Sequence, residues 1–102
     1  MFKSPRYMTR GIQEEVGLDL QLFLWSFIDE RAKSELEMDY LQFFELTVTS
    51  DQGKPVQNIT HRQEVPAFSK THQVLGISRP LNSKIWVIDD KTATTMLFPS
   101  EY

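Results

Sequence analysis

The run His61-Arg62-Gln63-Glu64 gathers more chemistry than any other stretch of this chain. Histidine offers a base that titrates near neutral pH, glutamate a proton carrier or metal ligand, arginine a fixed positive charge. On a helix, His61 and Glu64 would share a face and could hold a metal ion. On a strand they fall on opposite faces, and that reading is lost. A strand also divides the rest. His61 and Gln63 share a side with Ile59 and Val65, the side a helix would cover. Arg62 and Glu64 share the other, near Phe43 and Glu45. The structural reading is an ion pair of Arg62 with Glu45 or Glu64, resting on Phe43, and a partly buried, hydrogen-bonded His61. It outweighs catalysis, because a working histidine comes with a base or an orienting partner. Even so, His61, Arg62, Gln63, Glu64, Phe43 and Glu45 are the candidate binding residues.

The rest of the chain offers little reactive chemistry. Gly11, Gly17, Gly53 and Gly76 stand alone, with no glycine-rich phosphate loop. Neither GxSxG nor HExxH occurs. There is no cysteine, so disulfides, thiolate metal sites and a cysteine nucleophile are excluded, which fits a reducing compartment. The histidines are His61 and His72 alone, so a zinc site would need carboxylates from distant segments. Asp89-Asp90 reads as a turn rather than a cation site. Trp25 and Trp86 read as apolar fillers. No catalytic residue, metal or cofactor is assigned.

These residues need a scaffold, and the stretch Asp39 to Thr49 is its organiser. It is rich in aromatic and β-branched residues and lacks Gly and Pro. Phe44, Leu46 and Val48 point to one face, Leu41 and Phe43 to the other, as in a strand inside a sheet. Asp51-Gln52-Gly53-Lys54 follows as a tight turn, with Gly53 at positive φ. A loop of two or four residues pairs positions so that Leu46 lies beside Ile59, Phe44 beside His61, Gln42 beside Gln63, Phe43 beside Arg62 and Leu41 beside Glu64. Pro66 ends that second strand. After a loop over 67–70 come strands at 71–77, 85–88 and 92–98, with turns at Pro80-Asn82 and Asp89-Lys91 and a stop at Pro99. Ahead of them, Tyr7 to Ile12 could form a short strand bent at Gly11, and Gln13 to Gly17 a connection. A helix runs from Leu18 or Asp19, with Asp19 as N-cap, to about Ser34. Leu20, Phe23, Leu24, Phe27 and Ile28 form its apolar stripe, and Leu22 and Trp25 widen one flank. The expectation is an α+β fold: a mostly antiparallel meander of five to six strands with one amphipathic helix on a face.

At 102 residues, 40% of them hydrophobic, the chain reads as one domain over 1–102, with 1–6 frayed. No apolar run reaches the roughly 20 residues needed to span a bilayer, and no signal-peptide pattern is present, so a soluble, intracellular protein is expected. Net charge is −3, unevenly placed: residues 14 to 45 hold nine acids against Arg31 and Lys33. An acidic helix region reads first as a solvated face and second as a docking surface.

Arg6-Tyr7 with Thr9-Arg10-Gly11, Met38-Asp39-Tyr40-Leu41-Gln42 with Phe44-Glu45-Leu46, His61-Arg62-Gln63-Glu64-Val65-Pro66, Lys84-Ile85 with Val87-Ile88-Asp89-Asp90, and Thr95-Met96-Leu97 together resemble the blocks of domain of unknown function 960. That is a family of uncharacterised small proteins from low-GC Gram-positive bacteria and their mobile elements. The resemblance spans nearly the whole chain and implies a cytoplasmic bacterial protein, with no activity to transfer. The missing catalytic motifs, the acidic helix region and the two open edges of a meander make the leading expectation a non-enzymatic protein-interaction module, working through a protein partner or self-association, with no membrane role. The alternative is a small hydrolase or metal-dependent enzyme centred on His61. A weaker one is nucleic-acid contact by Arg6, Arg10 and Arg62, which net acidity and scattered bases disfavour.

Overall fold

A computed structural model describes residues 2–102. The stretch read as the organiser forms β2 (Leu41–Asp51), which lies inside a six-stranded sheet. It pairs on one side with β3 (Lys54–Gln63) in the anticipated register, Phe44 opposite His61 and Leu46 opposite Ile59. The two-residue turn sets that register. Gln52 and Gly53 both take positive φ, 51° and 80°, as a right-twisted hairpin requires of its two central residues. β3 ends before Pro66, as expected. The chain then re-enters the sheet at Phe68 rather than Thr71, giving β4 (Phe68–Leu75), with Gln63 opposite Phe68. The short loop closes early because the Gln63 amide donates to the Pro66 carbonyl at 2.7 Å and holds the turn against the strand end.

The sheet is not a plain meander. β5 (Ser83–Asp89) pairs with the free side of β2, and β6 (Thr94–Leu97) pairs with β5. β1 (Arg6–Met8) adds to β6 in parallel, giving the order β1-β6-β5-β2-β3-β4. Residues 76–82 therefore form a strap that returns from the β4 edge past β3 and β2. Three side chains fasten it. Asp19 accepts from the Ser78 N–H at 2.8 Å, Gln57 accepts from the Leu81 N–H at 2.7 Å and donates to its carbonyl at 3.0 Å, and Asn82 accepts from the Val48 N–H at 2.9 Å.

The N-terminal segment departs from expectation. Its strand stops at Met8, and residues 10–15 are helical: α1 (Arg10–Glu15) is N-capped by the Thr9 hydroxyl. Gly11 marks a close approach rather than a bulge, since a Cβ there would lie 2.7 Å from the Glu101 carboxylate. That carboxylate accepts from the Thr9 hydroxyl at 2.6 Å, the Gly11 N–H at 3.1 Å and the Phe98 N–H at 2.9 Å. Residues 2–6, expected to fray, are tied down: Phe2 is buried with its N–H on Asp89 at 2.7 Å, and the Pro5 carbonyl accepts from Thr94 at 2.9 Å. Met1 lies outside the described residues.

α2 (Leu18–Ala32) covers one face of the sheet. Gly17 takes the N-cap place expected of Asp19, whose carboxylate holds the Leu20 N–H and the strap instead. The buried ridge is narrower than the apolar stripe: Leu20, Leu24 and Ile28, continued by Arg31. They pack with Ile12 and Val16 on Phe44, Leu46, Ile59, Ile85, Val87 and Met96. Phe27 and Trp25 are partly covered, whereas Leu22 and Phe23 face outward. On the opposite sheet face Phe43 is buried, with Trp86 edge-on to it.

Candidate functional site

Strand alternation splits the His61–Glu64 run. His61 and Gln63 turn under α2 and are buried; Arg62 faces the other side; Glu64 is exposed in the turn that follows β3. On the far side Arg62 stands over the Phe43 ring at 4.2 Å and pairs with Glu45 at 3.3 Å. Trp86 packs edge-on between Phe43 and Tyr102. Five of the six candidate residues thus form two groups separated by the thickness of the sheet, His61 with Gln63 and Arg62 with Phe43 and Glu45, and Glu64 joins neither.

On the helix side the polar groups form a chain. The Gln42 amide nitrogen donates to the Asp39 carbonyl at 2.9 Å and to Gln63 Oε1 at 2.8 Å, leaving its oxygen for His61 Nε2 at 2.7 Å. Nε2 therefore carries the proton, and Nδ1 is the acceptor nitrogen of a neutral ring. Gln63 Nε2 extends the chain to the carbonyls of Glu37 at 2.8 Å and Pro66. His61 is 2% exposed, stacked on Phe44 and edge-on to Phe68. Burial, then the charge of Arg31, push its pKa down to about 4. A neutral histidine oriented by an amide is a weak base.

Beside His61 a cavity of about 220 Å³ opens between the last turns of α2 and strands β3 and β4. Phe27 and Arg31 line it from the helix, His61, Phe68 and His72 from the sheet, and Lys70 stands with them. His72 lies flat on Phe27 at 3.8 Å, and burial lowers its pKa as well. Lys70 pairs with Glu30 at 3.2 Å. Arg31 is only 3% exposed. It donates to the Ser34 hydroxyl and to the Glu37 carbonyl at 3.2 Å, and lies over Phe68 at 4.5 Å. Among the described residues its buried Nε–H has no acceptor and no carboxylate forms an ion pair with it. Arg31 is not among the candidate binding residues named from the sequence. The signal lay in its spacing, since Leu20, Leu24, Ile28 and Arg31 follow one helical ridge. His72 and Phe68 were invisible as a pair with Phe27 and Arg31 because only the β3–β4 register brings them together.

The remaining charged candidates sit apart. Arg6 pairs with Asp29 and stands over Trp25, and Arg10 pairs with Glu14 at 2.8 Å, so Arg6, Arg10 and Arg62 each meet a carboxylate. Asp89 accepts from the backbone of Phe2 and Lys91 with its two oxygens, and Asp90 Oδ1 accepts from the N–H groups of Thr92 and Ala93. Among the described residues no group of three His, Cys, Asp or Glu side chains is placed to hold a metal ion. Among the described residues no helix is long and apolar enough to cross a membrane. On the outer side of α2, Leu18 and Leu22 are 68% and 58% exposed, one turn apart, with Phe23 beside them at 39%.

A family model described as "Staphylococcal protein of unknown function (DUF960)" matches residues 5–101. The chain is also similar to a crystal structure of a protein of unknown function from Enterococcus faecalis. The TM-score is 0.79 at 22% sequence identity, covering 100% of this chain and 93% of the other. That likeness shows a shared α+β fold. A comparison with the curated proteins gives no match.

Proposed function

We propose, for a chain that belongs to this family of staphylococcal proteins of unknown function, a non-enzymatic role as a cytoplasmic protein-interaction module that docks through the outer ridge of α2. One observation carries the reading: Leu18, Leu22 and Phe23 stand together in the open on a helix whose opposite ridge already fills the core. Clustered exposed side chains of this size mark contact surfaces, whereas scattered ones do not. Burying each fully is worth about 1.5–3 kcal/mol, so the ridge can anchor a helix-in-groove contact. Residues 14 to 30 around it carry five acids and no base, which favours a partner with an apolar groove and a basic rim.

The hydrolase alternative asks His61 to act as a base. Its lowered pKa and its amide partner weigh against that use.

The test replaces Leu18 and Leu22 by glutamine, which keeps helix propensity and removes the apolar ridge. Partners captured with the natural protein should be lost with the double variant and retained with His61→Gln. Thermal unfolding should move little, since both positions are exposed. Capture of the same partners by the ridge variant would refute the assignment. Loss of a dimer in sedimentation would identify the partner as a second copy.

A further inference from the structure

We infer that the cavity between α2 and the β3–β4 hairpin is a receptor site for a small, flat, monoanionic carboxylate, held by the Arg31 guanidinium among the rings of Phe27, Phe68 and His72. This inference does not rest on the docking role of the outer ridge.

Three observations converge on it. The first is charge. Arg31 is 3% exposed and carries a full positive charge, yet its partners are a hydroxyl and a carbonyl. Buried charges in proteins are paired, and buried N–H donors are bonded. Arg31 breaks both rules, because among the described residues its Nε–H is unpartnered and no carboxylate forms an ion pair with it. A purely structural clamp of the 33–37 segment needs the two terminal nitrogens and leaves the cation uncompensated. A carboxylate supplies the missing negative charge and an acceptor, in the fork geometry guanidinium groups favour.

The second is shape. The cavity, about 220 Å³, is smaller than a drug-sized pocket and has four rings in its lining: Phe27 and His72 stacked at 3.8 Å, Phe68 under the guanidinium, and His61. Such surfaces favour a planar body over a branched or heavily hydroxylated one. His61, with Nδ1 as acceptor, adds a hydrogen-bonding position for a donor on the ligand.

The third is charge number. Lys70 also lines the cavity, but Glu30 holds it at 3.2 Å and lines the cavity with it. One uncompensated cation beside a carboxylate suits a monoanion. A dianion such as a phosphate monoester would meet Glu30 without a second free positive charge, which disfavours it.

The test titrates benzoate, benzamide and inorganic phosphate separately into the intact protein, followed by side-chain resonances of Arg31, His72 and Phe68. Benzoate should shift all three saturably. Benzamide, with the same ring and no charge, should bind about tenfold more weakly or worse, since charge-assisted bonds are about twice as strong as neutral ones. Arg31→Lys keeps the charge but loses the fork, and should weaken benzoate about tenfold while leaving the Phe27–His72 contact visible. Should that variant fail to fold, the benzoate-to-benzamide ratio on the natural protein decides alone. Equal binding of benzoate and benzamide, shifts that never saturate, or phosphate binding more tightly than benzoate would each overturn the assignment.

Discussion

His61 makes the fold lose stability as pH is lowered through a window its surroundings define. The ring ordinarily titrates near 6.5, and in the folded protein burial brings that down to about 4. The groups that face it are Arg31 and Glu30 from α2 and His72 from β4; Arg31 and His72 push its pKa down with burial, and Glu30 opposes them. Above the unfolded pKa, both states hold a neutral ring and the residue contributes no pH dependence. As pH falls from about 6.5 to about 4, the unfolded chain takes up a proton that the folded chain refuses, and stability is lost. Below that range both states are protonated and the loss levels off. Each pKa unit corresponds to about 1.4 kcal/mol, so the full loss is about 3 kcal/mol. The comparison protein is His61→Gln, whose amide can still donate to Gln42 and cannot titrate. It starts from a lower stability because it gives up the stack on Phe44, but its slope is the readout. Urea unfolding from about pH 7.5 to about 4.5 should show the natural protein losing about 2–3 kcal/mol more than the variant. The carboxylates of Asp19, Asp90 and Glu101 titrate in both proteins and cancel in the difference. A difference that stays constant within about 0.5 kcal/mol across the range would refute the argument, by showing that the folded ring accepts protons as readily as the unfolded one.

Other substitutions test other joints of the structure. Gly53→Ala should cost about 1 kcal/mol in chemical denaturation, because the residue sits at φ 80° with open space around it, so backbone strain alone is felt. Gly11→Ala should cost more, about 1–2 kcal/mol, since its Cβ meets a carboxylate pinned by three hydrogen bonds, and Glu101→Gln in the same background should not restore it. Gln57→Ala should cost about 2–4 kcal/mol and speed amide exchange at Leu81, because it releases the strap and leaves Leu81 N–H unpaired.

The parts of the fold legible in the sequence are those fixed by neighbours in the chain. The β2–β3 register followed from Gly53 and the alternation on either side of it, and α2 followed from its apolar spacing. The sheet order was not legible, because β5 chooses β2 over β4 through pairing across residues 76–82, and no local pattern marks that choice. α1 was missed for a related reason: six residues make a weak helix, and the carboxylate that fixes its cap comes from Glu101. Leu22 and Phe23 fit an apolar stripe as well as Leu20 and Leu24 do, and only the sheet's position decides which ridge is covered. Of the candidate residues, the separation of Arg62 from His61 was readable from strand alternation. The cavity was not, since Arg31, His61 and His72 come from three elements.

The buried polar residues explain why His61 sits where it does. On the helix-facing side of β2 and β3, the paired positions run Phe44 with His61, Leu46 with Ile59 and Val48 with Gln57, and past the end of the ladder Gln42 meets Gln63 at 2.8 Å. The middle is apolar and the ends are amides. At one end Gln42 and Gln63 hold the 37–39 backbone and the turn at Pro66. At the other, Gln57 holds the strap at Leu81. Each amide satisfies loop N–H or C=O groups that would otherwise be buried unpaired where connections cross a sheet end. His61 stands at the boundary between the two environments. Its ring stacks into the apolar middle against Phe44, its Nε2 closes the Gln42–Gln63 chain, and the residue lines the cavity under Arg31. That placement gives the histidine a packing role and one free acceptor, and makes Arg31, rather than His61, the group in this region whose chemistry is incomplete.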